Sequence, residues 1–344
     1  MKHLVTGGSG YLGNLIARRF AARGDQVIAL DLWKDDSVPA GIQFVHGDVT
    51  DRDMVRQVMQ GVDIVHHTAA LVPLTKSGGK FDHVNAEGSR IVAEEAAAAK
   101  VEAFIHLSSS AIFGTPDCPA DNSSPLGPKE IYGKSKLEGE RAVQAVAEKS
   151  GMKLISVRPR TIIGKERLGI FQILFDWIKD NANIFVIGDG SNKIQFVHTD
   201  DLIDAYMLVH DVGKPGLYNM GTDRFGTLRD DLEALCRHAG SNSHVRSLPK
   251  GLTISTLSLL DQLGLSPLAP WHYLTYGEPF YFDVSELKQL GWQPKYSNLE
   301  MLQESYDSFV AGHDELMKQK GGSAHRKPVK QSVLAVAKIM SRLI

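Results

Sequence analysis

The sequence is short of cysteine and of long apolar runs. Cys118 and Cys236 are the two cysteines among 344 residues, too few for a disulfide framework, so we expect a reducing cytoplasm. No run of about eighteen apolar residues occurs, and the chain opens on a strand-like segment rather than a signal peptide. We therefore expect no membrane-spanning segment. The hydrophobic content of 43% allows a large core in one or two domains.

Positive charge is scarce in most of the chain and concentrated at its end. The 38 Lys and Arg against 40 Asp and Glu give a formal net charge of −2. Residues 316–344 contain seven of the cations and no acid, so the rest holds 31 basic and 40 acidic residues, a charge of −9. An acidic body with a basic tail is not typical of a nucleic-acid-binding enzyme, and we expect no nucleic-acid partner.

Glycine, in contrast, is abundant at the start of the chain. The apolar segment His3–Val5 predicts a buried strand, and Gly7, Gly10 and Gly13 follow it at the start of a helical pattern. Asp31 ends the next predicted strand. This order is the fingerprint of a dinucleotide site, in which the helix N-terminus binds the pyrophosphate. Asp31 can accept hydrogen bonds from both ribose hydroxyls and would repel a 2′-phosphate, which favours NAD over NADP.

Strands alternate with helices as far as residue 157, which predicts an α/β fold with a Rossmann-type doubly wound parallel sheet. Ligands bind at the carboxyl ends of such strands. Beyond the glycines and Asp31, we expect the cofactor to be held by residues of the glycine turn and of the turns that follow the strands, namely Tyr11, Leu12, Asp48, Val49, Ala69, Ala70 and Asn85.

The alternation changes after residue 165, which predicts a smaller mixed α/β substrate lobe. We assign residues 1–165 to the NAD-binding domain, with 196–222 returning to it. The lobe then comprises 166–195 and 223–315. Its segment Leu252–Tyr281 is rich in leucine and aromatic residues, which form either the core of the lobe or an apolar pocket or membrane-facing patch.

Residues 316–344 form a basic tail. Within it, 328–344 has apolar residues at helical spacing with lysine and arginine on other faces. Such a segment is typical of an interfacial anchor on anionic lipid, but a helix docked on its own body or on a partner subunit has the same pattern. We therefore expect a cytoplasmic protein, with peripheral attachment to the inner face of a membrane as an option.

Tyr132 and Lys136 are one helical turn apart and face the same side of a predicted helix. A phenol with a pKa near 10 is a poor base at neutral pH, but a lysine ammonium and a positive nicotinamide would both favour the phenolate. Ser109, at the end of another strand, can hydrogen-bond the substrate oxygen. Together the three residues can remove a hydroxyl proton while hydride passes to the nicotinamide.

With these motifs the chain resembles an extended short-chain dehydrogenase/reductase of the NAD-dependent epimerase/dehydratase family. The resemblance implies NAD as cofactor, a homodimer, catalytic roles for Ser109, Tyr132 and Lys136, and cofactor contacts from Tyr132, Lys136 and Arg158. The matching motifs cover residues 1 to about 220 in order, and they are Thr6-Gly-Gly-Ser-Gly-Tyr-Leu-Gly13, Asp31, Gly47-Asp-Val49, His67-Thr-Ala-Ala70, Asn85, Ser108-Ser-Ser-Ala-Ile-Phe-Gly114, Tyr132-x-x-x-Lys136, Arg158-Pro159 and Phe196-Val-His-Thr-Asp200.

Departures from the family pattern bear on the substrate. Ser110 and Ala111 follow Ser109, where the family's dehydratases carry Asp-Glu. Ile194-Gln195 stands where nucleotide-sugar epimerases usually have Arg-Asp, and loss of a bidentate arginine weakens the case for a diphosphate ligand. The candidate substrate residues are Ser109, Ser110, Arg160, Lys193 and His198, and no metal site is expected.

These features predict an NAD-dependent oxidoreductase that transfers hydride between NAD and a secondary alcohol or ketone, with Tyr132 as general base and acid. An apolar hydroxysteroid- or lipid-like substrate is our first hypothesis. A UDP-sugar 4-epimerase with tightly held NAD is the alternative, and a non-catalytic cofactor-binding scaffold is a third.

Overall fold

A computed structural model describes residues 1–72, 80–165, 167, 169–263, 266, 268–316, 338 and 341. The strands of this part of the chain are β1 (Lys2–Thr6), β2 (Gln26–Asp31), β3 (Gln43–His46), β4 (Ile64–His67), β5 (Ala103–Leu107), β6 (Lys153–Pro159), β7 (Thr161–Ile163), β8 (Ile184–Ile187), β9 (Phe196–His198), β10 (Gly216–Met220) and β11 (Val245–Leu248).

The helices cover both faces of the main sheet and build most of the lobe. They are α1 (Tyr11–Ala22), α2 (Arg52–Val58), α3 (Ser89–Ala98), α4 (Ile131–Ser150), α5 (Phe171–Lys179), α6 (Thr199–Val212), α7 (Leu228–His238), α8 (Lys250–Gln262), α9 (Pro270–Thr275), α10 (Ser285–Gln289) and α11 (Asn298–Leu316). A π-helix over Asp82–Gly88 leads into α3, and a short 3₁₀ helix spans Ser110–Phe113.

The main sheet confirms the predicted doubly wound fold. Within the described residues it has seven parallel strands in the order β10-β6-β5-β4-β1-β2-β3. The chain therefore winds outward in both directions from β1, which pairs with β2 on one side and with β4 on the other. The crevice at this reversal of strand order is where open α/β sheets bind their ligands, and the glycine turn after β1 lies there.

Burial on both faces explains why these strands are apolar along their whole length. Leu4 and Val5 of β1 are fully buried, and so is Phe20 of α1, which packs on the same side as Val5. A fully buried side chain of this size stabilises the fold by about 2–3 kcal/mol. The sequence therefore directs α1 onto the sheet with its N-terminus at the crevice.

The lobe has a hydrophobic cluster of its own, which includes Phe175 and Leu235. Two small parallel sheets lie outside the main one, β8 with β11 and β7 with β9. β10 joins the main sheet beside β6, whereas β9 does not. The segment 196–222 thus returns to the main sheet through β10, and our division of the chain into domain and lobe stays a proposal.

Helix α8 is an apolar helix that contributes nothing to the buried core. None of its residues is buried, and Leu252, Leu259 and the following Leu263 are 69%, 57% and 62% exposed. For α8, the idea that this leucine-rich segment makes the core of the lobe is therefore wrong. No helix in the described ranges has both the length and the apolar character needed to cross a membrane.

Candidate active site

The glycine turn has the geometry that close approach of a ligand requires. Gly7 adopts a φ of +67°, a conformation that favours glycine, and a Cβ there would lie 2.8 Å from the Cα of Ala69. At Gly13, a Cβ would lie 2.1 Å from the carbonyl oxygen of Gly7, so α1 packs directly against the turn. Gly10 precedes α1, whose first turn has no side-chain cap. Its first N–H groups can therefore bind the phosphates of a dinucleotide.

Asp31 lies at the end of β2, beside this turn. Its carboxylate accepts hydrogen bonds from the backbone N–H groups of Ser9 (3.0 Å) and Leu32 (2.8 Å). Burial raises the pKa of Asp31, and these N–H donors oppose the rise. The backbone thus fixes the carboxylate at the edge of the crevice, where an NAD ribose requires an acceptor. The residues present fit NAD.

The crevice opens into a cleft of about 500 Å³ that reaches the lobe. It brings together most of the residues that the sequence predicted for the cofactor and the substrate. These are Gly7, Gly10, Tyr11, Leu12, Gly13, Asp31, Asp48, Val49, Ala69, Ala70, Ser109, Ser110, Tyr132, Lys136 and Arg160.

Tyr132 is held at the start of α4 by a capping carboxylate. Glu130 accepts hydrogen bonds from the backbone N–H groups of Tyr132 (2.7 Å) and Gly133 (2.6 Å), which caps the helix. Gly133 allows α4 to approach the 3₁₀ helix, because a Cβ there would lie 2.7 Å from the carbonyl oxygen of Ala111. The cap and this packing place Tyr132 beside Ser109, whose Oγ accepts the N–H of Ala111 at 3.1 Å.

Lys136 is buried one turn further along α4. Its Nζ donates a hydrogen bond to the carbonyl oxygen of Leu107 at 2.7 Å, so the ammonium lies at the carboxyl end of β5. Burial lowers the pKa of Lys136 to about 8, and Glu140 opposes this. The lysine is therefore still mainly protonated at neutral pH.

Electrostatics at Tyr132 differ from the sequence-based expectation. Burial raises the pKa of the Tyr132 hydroxyl, while a hydrogen bond with Ser109 and the nearby cation of Arg167 lower it. The cation that acts on the phenol in this structure is thus Arg167 rather than Lys136. Arg167 lines the cleft and lies over the ring of Tyr11, 5.2 Å from its centroid.

Arg160 is the principal charged group in the substrate half of the cleft. It is 5% exposed, its Nε donates to the carbonyl oxygen of Gln195 (3.2 Å), and a terminal nitrogen donates to Ser110 Oγ (3.1 Å). The guanidinium lies 3.7 Å from the ring centroid of Phe280. Burial lowers its pKa to about 10. No carboxylate among the described residues forms an ion pair with it.

Four predicted site residues lie outside the cleft lining, and their predicted contacts stay predictions. Arg158 is buried in an ion pair with Glu140 (Nε to Oε2, 3.0 Å), which satisfies its charge away from the cofactor. Lys193 is exposed at the surface. His198 is hydrogen-bonded to Glu304 at 2.7 Å and stacks on Tyr296, which orients it away from a substrate role.

Asn85 is the fourth of these residues. It lies inside the π-helix rather than opening a helix, and it holds the backbone of Leu71 through two hydrogen bonds of 2.8 and 3.1 Å. Its Nδ2 also donates to Ser135 of α4 at 3.0 Å. Because Leu71 lines the cleft, Asn85 positions the wall of the site without lining it.

The lobe contributes cleft residues that no local motif could have indicated. Phe171 of α5, Trp271 and His272 of α9, and Tyr276 just after α9 face the substrate half. The aromatic composition of 252–281 indicated that this segment has a special role. It did not show that α9 lines the cleft while α8 stays exposed, which only the fold reveals.

Comparisons with known proteins agree with this architecture. Residues 3–221 match the model of the NAD dependent epimerase/dehydratase family. The chain is 41% identical over 343 residues to the uncharacterised protein y4nG of Sinorhizobium fredii, covering 99% of this chain and 86% of that protein. It is 26% identical to the dTDP-glucose 4,6-dehydratase of Streptomyces niveus, over 78% of this chain and 88% of the relative.

Solved structures show the same fold. The UDP-glucose 4-epimerase of Thermus thermophilus in complex with NAD has a TM-score of 0.73 at 24% identity, covering 90% of this chain and 99% of that one. The UDP-glucuronic acid 4-epimerase of Bacillus cereus in complex with NAD has a TM-score of 0.74 at 20% identity, covering 90% and 99%. On the family match and the geometry of the cleft, the chain belongs to the NAD-dependent epimerase/dehydratase family and is an enzyme that uses NAD.

Proposed function

We propose that the enzyme is an NAD-dependent epimerase acting at a secondary alcohol of a nucleotide-linked sugar. This is the alternative of the sequence hypotheses, and the comparisons favour it over an apolar hydroxysteroid- or lipid-like substrate. The relatives include enzymes named as nucleotide-sugar dehydratases and as putative or probable nucleotide-sugar epimerases. One relative, 29% identical, is instead named as a ketoreductase of a farnesylated quinoline, so hydrophobic alcohols are tested beside the nucleotide sugars.

The observation that carries the choice of epimerase is the chemistry of the cleft lining. The described lining residues include two carboxylates, Asp31 and Asp48, both at the cofactor end. Ser110 is bonded to Arg160, and the buried Ala111 has no acid or base to offer. Removal of water from a sugar requires a general acid for the leaving hydroxyl. The described lining residues place no carboxylic acid at the reacting end, whereas oxidation and reduction need one proton relay.

Tyr132 provides that relay. NAD, when bound, supplies a two-electron acceptor and donor for the alcohol carbon. Tyr132 accepts the hydroxyl proton as the alcohol becomes a ketone and returns it when the ketone is reduced. Ser109 donates a hydrogen bond to the same substrate oxygen, and the nearby cation of Arg167 favours the phenolate. With NAD bound, reduction of the ketone on its opposite face would invert the carbon and leave no net change in the cofactor.

Arg160 and the lobe aromatics are proposed to hold the substrate. A buried guanidinium that has no anionic partner in the described part of the chain can bind an acceptor-rich group, through hydrogen bonds that are bidentate where the group allows. Phe171, Trp271 and Tyr276 supply flat apolar surface on which a sugar ring or a nucleobase can stack. The same aromatic lining is what an apolar alcohol would require, so the substrate must be tested directly.

The experiment is incubation of the purified enzyme with UDP- and dTDP-hexoses and with a panel of hydrophobic secondary alcohols. We expect interconversion of epimers, followed by chromatography, without net NADH absorbance. Steady NADH formation from a hydrophobic alcohol would overturn the proposal in favour of a dehydrogenase. The Tyr132→Phe variant should lose about 10²–10⁴-fold in kcat. Equal rates in this variant and the wild type would indicate a scaffold instead.

We also propose a homodimer that pairs through α3 and α4, as family membership implies. The two helices pack against each other within one chain. Light scattering on the purified protein should give twice the chain mass of 37.7 kDa. A monomer mass at assay concentration would contradict the proposal.

A further inference from the structure

Three histidines distant in sequence meet on the face of the main sheet covered by α1 and α6. His3 belongs to β1, His66 to the adjacent β4 and His210 to α6. Because His3 pairs with Ile64 and Val5 with His66, the two strand histidines point to the same face. One ring nitrogen from each of the three lies within 4.8 Å of the others. None of them lines the cleft described above.

The inner nitrogens of two of the rings already share one hydrogen. His3 Nδ1 and His66 Nε2 are 2.9 Å apart. Two nitrogen ligands at 2.0–2.1 Å from a tetrahedral zinc ion are separated by about 3.3 Å. For these two rings, a metal ion can therefore replace the shared hydrogen after a movement of a few tenths of an ångström, whereas the three ligand nitrogens together lie within 4.8 Å and must draw closer. The third ring approaches from the helix, and its Nε2 is buried without a hydrogen-bond partner among the described residues.

Each histidine also has an acceptor near its outer nitrogen. His66 Nδ1 lies 2.8 Å from the hydroxyl of Tyr206, and His210 Nδ1 lies 2.9 Å from a carboxylate oxygen of Asp211. His3 Nε2, buried and otherwise unpartnered, lies 3.6 Å from a carboxylate oxygen of Asp25. With a metal bound, groups at these positions would accept hydrogens from the outer nitrogens and leave the inner lone pairs free for the metal, as metal-ligating histidines require.

Two carboxylates lie beside the cluster, and an ion has a route inward. Asp25 and Asp211 flank the cluster, and each already has one cationic partner, the N-terminal ammonium (2.8 Å) and Arg23 (2.6 Å) respectively. Phe20 stacks on His3 and covers the site from α1 with centroids 4.2 Å apart. The side chain of His210 is 13% exposed, so an ion can enter beside α6.

We propose that His3 Nδ1, His66 Nε2 and His210 Nε2 bind a divalent transition-metal ion of the zinc class, with water in the fourth position. On binding, the hydrogen of His3 moves from Nδ1 to Nε2, where it faces Asp25, so all three rings stay neutral and no proton is released. The ion would join β1, β4 and α6. Imidazole donors suit Zn²⁺, Co²⁺, Ni²⁺ and Cu²⁺ rather than Mg²⁺ or Ca²⁺.

Cobalt provides the test, because Co²⁺ replaces Zn²⁺ in tetrahedral sites and its visible absorption reports the coordination. Untagged full-length protein is stripped with a chelator and titrated with Co²⁺, then with Zn²⁺. We expect one equivalent of cobalt per chain with tetrahedral absorption bands, displacement by Zn²⁺, and a higher Tm in the presence of Zn²⁺. Enzyme activity is not needed for any of these measurements.

His210→Ala is the test variant, since this residue lies on the helix and near the surface. It should weaken cobalt binding at least tenfold and abolish the Zn²⁺-induced rise in Tm. His238→Ala is the matched control, because His238 is also a helical histidine paired with an aspartate, Asp307, and lies outside the cluster. Absence of a tetrahedral cobalt spectrum in the wild type, or equal losses in both variants, would show that the cluster is only a hydrogen-bonded part of the core.

Discussion

At the scale of single residues, Asp31 shows how backbone geometry sets cofactor choice. Two N–H groups hold its carboxylate in place, at the end of the strand that borders the glycine turn. A fixed carboxylate favours two ribose hydroxyls and disfavours a phosphate at the same position. Because these bonds hold the carboxylate, it cannot easily turn aside to make room for a larger or anionic group.

We therefore predict that Asp31→Ala weakens NAD far more than NADP. Loss of charge-assisted hydrogen bonds costs about 1.5–3 kcal/mol, or roughly ten- to a hundred-fold in the KM for NAD. Steady-state kinetics with each cofactor measure the ratio. Asp36→Asn is the control, an exposed carboxylate that does not line the cleft. If both variants changed NAD binding equally, Asp31 would have no specific role at the ribose.

Arg160 and Lys193 offer a second comparison between single residues. Both were candidates for substrate binding, but Arg160 lines the cleft and Lys193 is exposed outside it. We expect Arg160→Met, which keeps the apolar stem over Phe280, to lower kcat/KM by about ten- to a hundred-fold by removing one charged hydrogen-bonding partner of the substrate. The NAD affinity should stay the same.

Lys193→Met is the control for this prediction and should leave kcat/KM unchanged. Fluorescence titration with NADH checks that the cofactor half is intact in both variants. An equal loss of NAD and substrate binding in Arg160→Met would show that the arginine supports the fold of the cleft rather than the substrate.

At the scale of elements, α7 carries a buried carboxylate in its first turn. Asp231 is 8% exposed and accepts a hydrogen bond from Asn298 Nδ2 at 2.9 Å, which ties α7 to the start of α11. Burial raises the pKa of Asp231 to about 6, although this hydrogen bond opposes the rise. The folded state therefore binds a proton between pH 4 and 6 more tightly than the unfolded chain, where the pKa is about 3.9.

It follows that Asp231 costs stability above pH 6 and that the cost disappears as the pH falls toward 4. The shift corresponds to about 3 kcal/mol at pH 8. We predict that Asp231→Asn, which can still accept from Asn298, raises the free energy of unfolding at pH 8 by about 1–3 kcal/mol and by roughly a third of that at pH 4.5. Urea unfolding of both proteins at the two pH values measures this. An equal change at both values would exclude the ionised carboxylate as the cause.

At the scale of the whole molecule, local sequence patterns and the order of the strands account for most residues that line the cofactor end of the cleft. The glycine turn, Asp31 and the Tyr132–Lys136 spacing are contiguous signals. Parallel strands bring their carboxyl ends to one edge, which is why Ser109 meets Tyr132. Long-range packing decided the rest. Arg158 and Arg160 are two residues apart, yet β6 ends between them, and one pairs with Glu140 while the other faces the cleft.

Long-range packing also determines which residues line the substrate end of the cleft and which histidines form the cluster. Trp271 and Tyr276 reach the cleft from α9 and the turn after it, about 140 residues from Tyr132 along the chain. His3, His66 and His210 have no shared motif, and strand pairing and the packing of α6 bring them together. Such contacts depend on the assembled core rather than on any local preference.

The basic tail is the last feature at this scale. Its sequence is compatible both with binding to lipid and with docking on protein. Most of 316–344 lies outside the described residues, but Lys338 and Ser341 are described. Lys338 Nζ lies 2.5 Å from Asp176 and 2.8 Å from Asp180, and its side chain is 12% exposed. The carbonyl oxygen of Ser341 accepts a hydrogen bond from Asn183 at 2.8 Å. These contacts favour docking on the lobe.

We predict that truncation after residue 316 destabilises the protein without changing its affinity for anionic liposomes. A partly buried ion pair with two carboxylates and one hydrogen bond contributes about 1–2 kcal/mol, which corresponds to a fall in Tm of about 2–8 °C. The double variant Asp176→Asn, Asp180→Asn should reproduce part of that fall, because it removes both carboxylate partners of Lys338. Calorimetry and liposome sedimentation measure the two effects. An unchanged Tm together with lost sedimentation would instead identify the tail as a membrane anchor, and a substrate dissolved in lipid would then need to be reconsidered.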